Sequence, residues 1–246
     1  MADHTPTRFP RLVAIELRKV AVTRSTRWVL ISMLAIAVLL AIATMLISKA
    51  TGSGEASYAL ELLALTVPVA IGTPIVGVLI ATGDWQHREV TTIFSLVPQR
   101  SRIFAAKLSA ALVLSVALIV AVAVASCVIS LVVAPLVGMQ WSAGDVGRAV
   151  RTLAVAAIFG SLSGAAIGSA VLSAPLSIII VFVQALVLDA ALLLIPGNVG
   201  SYFQGSSVTG FLLGDGPFPA AATSAMLWLV TPLVIGYLRN KHREIG

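Results

Sequence analysis

The residues of this sequence best suited to chemistry are acidic and amide side chains inside apolar stretches. Asp189 follows Gln184 by five residues within one such stretch, and Glu61 lies near the start of another. A charge at the centre of a membrane-spanning helix costs about 2.5–3.5 kcal/mol, so such residues usually face a bundle interior or water. We predict that these three residues line a pathway through the membrane, together with Pro68, which breaks the hydrogen-bond ladder of its helix. The alternative for each of them is a role in packing.

Covalent chemistry has little support in the sequence. The run from Gly160 to Gly164 resembles the G-x-S-x-G motif of serine hydrolases, but Leu162 stands at the position of the nucleophile. The three histidines all lie outside the apolar stretches, and no Gly-Lys pair exists to complete a nucleotide-binding P-loop. We predict that the chain is not an enzyme and that it binds no metal and no cofactor of its own.

The elements that must position the acidic residues are helices that cross a membrane. The chain is 59% hydrophobic and only 11% charged, with a mean hydropathy of +1.03, whereas soluble domains are about 45–50% apolar and about 25% charged. About 20 apolar residues span a bilayer core. We predict an all-α membrane protein with a single transmembrane domain over residues 1–246 and six spans, near 28–48, 59–82, 105–135, 150–173, 175–196 and 220–238.

Basic residues are distributed unevenly between the two sides of this arrangement. Of the 16 Lys and Arg residues, only Lys49, Arg148 and Arg151 fall on one side. Cytoplasmic loops carry the excess of Lys and Arg, so we predict that both termini lie in the cytoplasm. The formal net charge of +6 then reflects topology, and no nucleic-acid partner is expected. The alternative is that the fourth and fifth spans merge across residues 173–175, which would change the parity of the spans.

The basic segment 8–27 precedes the first span and is too polar to cross a membrane. Helical periodicity puts four apolar side chains on one stripe and Arg11 and Arg18 on the opposite face. We predict an amphipathic helix along the cytoplasmic interface, with its apolar face in the acyl boundary. The alternative is a simple anchor that fixes topology. The four apolar residues are Phe9, Val13, Leu17 and Val20.

The connection between the second and third spans, residues 83–107, is the only cytoplasmic one long enough to form a structured element. It combines apolar side chains such as Trp85 and Phe94 with mixed charges, which is typical of a docking surface for a soluble protein. A short helix over residues 86–96 is predicted to end before Pro98. The alternative is a basic loop that rests on lipid headgroups.

Two segments resemble the permease subunit of ABC-2-type ATP-binding-cassette exporters, in the form common in high-GC Gram-positive bacteria. They are IELRKVAVTRSTRW (15–28) and DWQHREVTTIFSLVPQRSRIFAAK (84–107). The resemblance implies that the first segment is an interfacial elbow helix and that the second contains a coupling helix, which seats in the ATPase. The residues that it implies for contact with the ATPase are Glu16, Asp84, His87, Arg88, Glu89, Thr91, Pro98, Arg100 and Arg102.

The same resemblance implies a complex. Two copies of a separate ATPase would hold ATP and Mg, and would bind this chain through residues 84–102. A second permease copy would complete the translocation path, and a homodimer is favoured over a heterodimer. The expected location is the bacterial plasma membrane, where membrane lipids are further partners. Short re-entrant helices are expected between residues 196 and 219.

Two other classes of protein stay open. An ion-coupled secondary carrier would need polar residues at the midplane of several helices, and few are present here. A non-transporting membrane scaffold or immunity protein would have much the same sequence as a permease.

Glycines recur at four-residue spacing in the fourth predicted span, at Gly160, Gly164 and Gly168. This spacing puts all three on one helix face, where another backbone can approach closely. Packing within the chain is the favoured use, and a dimer interface is the alternative.

Overall fold

The computed structural model describes residues 8–52, 54–86, 100–195 and 197–242. A stretch of π-helix at Val183–Leu188 joins α7 (Ala174–Phe182) to α8 (Asp189–Leu192), and another at Met226–Val230 joins α10 (Phe218–Ala225) to α11 (Thr231–His242). The elements before these, in chain order, are α1 (Phe9–Val22), α2 (Arg24–Ala50), β1 (Glu55–Ser57), α3 (Tyr58–Ala64), α4 (Thr66–Gln86), α5 (Arg100–Leu136), β2 (Gln140–Ser142) and α6 (Val146–Val171), and α9 (Ser206–Leu212) precedes α10.

Within the residues that the structure describes, six helical stretches are long and apolar enough to cross a membrane. Their outer surfaces are apolar as well: Val120, Val124 and Val128 recur every four residues on α5 and are 55% to 57% exposed. Lipid solvates such a stripe, whereas water does not. The chain is therefore an all-α, multi-pass membrane protein, as predicted. The six stretches are Arg24–Ala50, Thr66–Gly83, Ser101–Leu136, Val146–Val171, Ala174–Leu192 and Phe218–Lys241.

The spans alternate in direction, and contacts between distant residues identify the connections that share an end. Lys107 of α5 donates a hydrogen bond to the carbonyl of Ala81 in α4 at 3.2 Å, and Arg239 of α11 donates to the carbonyl of Ala170 in α6. We call the end that holds these contacts and α1 the basic end. At the opposite end, β1 pairs in parallel with β2, which ties the connection after α2 to the connection after α5.

The boundary between α1 and α2 lies earlier in the chain than the sequence predicts. The helix predicted over 8–27 ends at Val22, because Thr23 has an extended backbone (φ −71°, ψ 122°). Both the N–H and the hydroxyl of Thr23 donate to the carbonyl of Lys19, at 3.0 and 2.8 Å. The first span consequently starts at Arg24, four residues before its predicted start.

The span predicted over 59–82 consists of two helices, α3 and α4, which meet at Leu65. Backbone hydrogen bonds from Leu65 to Glu61 and from Val69 to Leu65 continue the helical pattern across this junction. Pro68, in the first turn of α4, has no N–H to donate to the carbonyl of Ala64, the last residue of α3. Pro74 lies inside α4 and likewise lacks the N–H that a helix residue would donate.

The fourth and fifth spans remain separate helices. Leu172, just after α6, adopts the left-handed conformation (φ 62°), and its N–H donates to the carbonyl of Gly168 at 2.8 Å. This geometry ends a helix. The next helix, α7, begins at Ala174 with Pro175 in its first turn, so the six-span parity is kept.

The core of the bundle is the contact between α4 and α6. A side-chain carbon added at Gly164 would lie 2.0 Å from the carbonyl oxygen of Pro74, and one added at Gly77 would lie 2.1 Å from the carbonyl oxygen of Ser161. Neither position has room for any side chain, because the two backbones touch. Gly160 and Gly168 face α4 in the same way, beside Thr73 and Val78. The glycine face of the fourth span thus packs within the chain.

Candidate functional site

Glu61 is a carboxylic acid buried between helices at the opposite end of the bundle. It lies on α3 and is 2% exposed. Ser130 of α5 donates a hydrogen bond to its Oε1 atom at 2.9 Å. Its Oε2 atom is buried and has no hydrogen-bond partner among the residues that the structure describes. An unsatisfied buried polar atom is costly, so this carboxyl group is a candidate site for chemistry or for ligand exchange.

The surroundings of Glu61 are mostly apolar, with a second polar contact beside it. Leu62 and Leu153 are completely buried in the same cluster, and Cys127 packs against it. The hydroxyl of Tyr58 donates to the carbonyl of Ala123 in α5 at 2.7 Å. Because Tyr58 is nearly one helical turn from Glu61, two polar contacts tie α3 to α5 along the same line.

Asp189 has a different environment, in which both carboxylate oxygens have partners. The Oδ1 atom accepts from the side chain of Gln184 at 3.2 Å and from the N–H of Gly205 at 3.0 Å. The Oδ2 atom accepts from the N–H of Ser206 at 3.1 Å, and the amide of Gln204 donates to the carbonyl of Asp189 at 3.0 Å. The first N–H groups of a helix need such acceptors. The carboxylate of Asp189, on α8, therefore caps the N-terminus of α9.

The segment between α8 and α10 is held on its other side by α10 and the π-helix that follows. Ser224 donates to the carbonyl of Gln204 at 2.6 Å, and Trp228 donates to the carbonyl of Phe203 at 2.7 Å. The structure places a turn of 3₁₀-helix and α9 in the region where short helices were expected. The segment is therefore an ordered cap over the outer ends of the fifth and sixth spans.

The four residues predicted to line a pathway do not form one cluster. Gln184 and Asp189 are in contact with each other, as their spacing suggests. Glu61 instead contacts α5 through Ser130, and Pro68 begins the neighbouring α4. A pathway role for any of them stays a prediction, and the contacts found here are structural ones.

Glu16, predicted to contact an ATPase, faces the bundle. It is 6% exposed and lies on α1 in one line with the buried residues Leu12 and Val20. Of the predicted apolar stripe, Val20 belongs to this buried line and Phe9 is 36% exposed, while a carboxylate also occupies the buried line. Contact of the stripe with lipid stays a prediction. Glu16 tolerates this position because the ammonium group of Lys19 lies 3.0 Å away.

The other predicted contacts with the ATPase lie around the connection between α4 and α5. Asp84 is in the last turn of α4, Arg100 begins α5, and Arg102 is half-buried in the first turn of α5. The remaining predicted residues, and the predicted helix 86–96, lie outside the described residues. These are His87, Arg88, Glu89, Thr91 and Pro98.

Sequence reasoning missed Ser130, the partner of Glu61, and the backbone donors to Asp189. Ser130 is 69 positions from Glu61 in the chain, and only its four-residue spacing from Ser126 on one face of α5 gave a signal. The donors to Asp189 are mainly backbone N–H groups, which any residue type supplies.

Comparisons with protein families and with curated proteins identify no relative of this chain. The sequence matches no protein-family model, and a search of curated proteins finds no match. Within the described residues, no three His, Cys, Asp or Glu side chains come together as metal ligands. The functional assignment therefore depends on the architecture and on the sequence segments themselves.

Proposed function

We propose that this chain is the membrane-spanning subunit of an ATP-driven exporter of the ABC-2 type, working with a separate ATPase. The observation that supports the proposal is that α1, in the first of the two resembling segments, packs at the basic end against the two helices that flank the second. Val20 of α1 packs with Ile80 and Ala81 near the end of α4, and with Ala111 near the start of α5. The helix α1 therefore lies beside both ends of the connection that would hold the ATPase.

The charge distribution supports the orientation that this function needs. The basic end carries most of the Lys and Arg residues, so by the positive-inside rule it faces the cytoplasm of a bacterial plasma membrane, where ATP is available. Two ATPase copies with ATP and Mg would then act on residues 84–102 of two permease copies. In this proposal α1 is the elbow helix, and the path runs between the two copies.

Tight packing of α4 against α6 supports a mechanical role. Closure of the ATPases would displace the connection after α4, and the backbone contact at Gly164 would carry α6 with it. Catalysis would belong wholly to the partner, since this chain contributes no phosphate-binding motif.

The test is affinity purification of the tagged chain from its native host, in mild detergent and in nanodiscs, with an ATP analogue present. The expected partner is a soluble P-loop ATPase at one copy per permease. Arg88→Ala and Glu89→Ala should each reduce its recovery at least threefold, whereas Arg148→Ala, at the opposite end of the bundle, should leave recovery unchanged. Purification of the chain alone under all these conditions would contradict the proposal.

One observation favours a second candidate, an ion-coupled carrier: the buried carboxyl of Glu61 with its unpartnered oxygen. A carrier of this class would move its substrate in proteoliposomes that contain the chain without any ATPase, driven by an ion gradient. Transport that requires both the ATPase and ATP, and that persists when gradients are dissipated, would exclude it.

A further inference from the structure

A groove of about 740 Å³ opens at the basic end between α1, the first turn of α2 and the last turns of α4. This volume lies in the range of about 300–1,000 Å³ that is usual for small-molecule sites. Its lining includes the cations Arg18, Lys19 and Arg24, and the apolar residues Ile15, Val22 and Leu79. We call the first set the basic half of the lining and the second set the apolar half.

The basic half is suited to an anion. Lys19 lies 3.0 Å from Glu16, the only carboxylate of the described lining, so this pair leaves the charges of Arg18 and Arg24 in excess. Among the described residues, no carboxylate forms an ion pair with either arginine. Arg18 and Arg24 are both exposed. Guanidinium groups bind phosphate oxygens through paired hydrogen bonds, and Ser25 adds a hydroxyl at the rim.

The apolar half is open to an acyl chain. On α1, Ile15 is 44% exposed, and Val22, about two turns further along, is 67% exposed. Leu79 is half-buried and belongs to the candidate membrane span Thr66–Gly83, near its end. Contact with an acyl chain would remove these side chains from water, whereas a soluble anion would leave them uncovered.

We propose that this groove binds one anionic phospholipid, such as phosphatidylglycerol. Its phosphate lies on Arg18 and Arg24, and the upper part of an acyl chain lies along Ile15, Val22 and Leu79. A zwitterionic lipid fits less well, because its headgroup cation would meet a lining with excess positive charge. The inference uses the proposed orientation only in placing the lipid in the cytoplasmic leaflet, where anionic lipids are abundant. It does not depend on the ATPase.

The position of the two arginines suggests what the lipid does. Arg18 is on α1 and Arg24 is on α2, on either side of the extended residue Thr23. A phosphate that binds both arginines spans this break and fixes the angle between the two helices. The lipid is therefore a structural ligand that holds α1 against the bundle.

Binding of phosphatidylglycerol to the purified, delipidated chain, measured by native mass spectrometry, tests the proposal. The chain should bind one lipid at low concentration, with phosphatidylcholine binding at least tenfold more weakly. The double variant Arg18→Gln/Arg24→Gln should lose about thirtyfold in affinity, as expected for two cations near a membrane surface. Arg8→Gln/Arg11→Gln is the matched control, because it removes the same charge from the same basic segment but from outside the groove. It should bind like the wild type.

Three outcomes would overturn the proposal. Equal losses in both double variants would mean that the lipid responds to net charge alone. Displacement of the lipid by millimolar inorganic phosphate would identify a site for a soluble anion. Arg18→Lys/Arg24→Lys keeps both charges and should lose affinity only modestly; a loss as large as that of the glutamine variant, together with an abnormal elution profile, would show that the arginines act on folding. All of these measurements omit the ATPase, so their failure is distinct from that of the proposed function.

Discussion

The two acidic residues Glu61 and Asp189 occupy opposite kinds of environment, although the sequence suggested similar roles for them. Asp189 is half-exposed and accepts three hydrogen bonds through its two carboxylate oxygens. Glu61 is 2% exposed and accepts one. The more accessible acid is thus the better satisfied one. Asp189 has the contacts of a structural residue, whereas Glu61 retains an unmet bonding requirement, which is more typical of a functional site.

Replacement of Asp189 by leucine is expected to give the largest effect. The N–H groups of Gly205 and Ser206 and the amide of Gln184 all lose their acceptor, so the free energy of unfolding should fall by about 2–3 kcal/mol. Reversible unfolding in mixed micelles measures it. Asp189→Asn keeps one acceptor oxygen and should lose about 1 kcal/mol. Full stability of the leucine variant would mean that the cap of α9 contributes nothing.

Glu61→Leu should leave the free energy of unfolding unchanged or raise it, whereas Asp189→Leu lowers it. It removes a buried carboxyl with an unpartnered oxygen and replaces it with an apolar side chain of similar size, which is commonly neutral or stabilising by about 1–2 kcal/mol. The same unfolding assay measures it. In the wild type, Ser130→Ala should cost about 1 kcal/mol, but in the Glu61→Leu background it should cost almost nothing. A clear loss of stability in Glu61→Leu would remove the contrast between the two acids.

Tyr58→Phe tests whether the second polar contact of α3 is independent of Glu61. It deletes the hydroxyl that donates to the carbonyl of Ala123 at 2.7 Å, and the stability of the protein should fall by about 1 kcal/mol. Ser126→Ala is the control, because Ser126 donates to the same carbonyl at 3.1 Å and Tyr58 still satisfies it. Ser126→Ala should lower the stability less than Tyr58→Phe does. A larger loss in Ser126→Ala would mean that Ser126, and not Tyr58, is the main donor to the carbonyl of Ala123.

Gln184→Leu is expected to give the smallest effect, about 0.5 kcal/mol. Asp189 keeps both of its backbone donors in this variant, and Gln184 is only half-buried. Thermal unfolding of the two proteins side by side would resolve the difference. An effect as large as that of Asp189→Leu would mean that the amide, and not the backbone, holds the carboxylate in place.

Hydropathy was sufficient to predict the six spans, because lipid imposes a length and a composition on every span. Six spans and their grouping at two ends follow from this, and the turn at Leu172 keeps the parity. The site was less predictable. The buried line of α1 includes Glu16, since Lys19 neutralises it locally, and an apolar-stripe rule cannot anticipate such a pair. The spacing of Gln184 and Asp189 indicated one contact, but Ser130 is distant from Glu61 in the chain and the other donors to Asp189 belong to the backbone.

The contact between α4 and α6 also determines how a displacement travels. Side chains between two helices normally absorb small movements by changing rotamer, but at Gly77 and Gly164 no side chain separates the backbones. The two helices are therefore expected to move together. A displacement of α4 at the basic end would then shift α6 as well, along a helix of about 30 Å. A side chain at Gly164 would separate the two helices and should weaken this coupling.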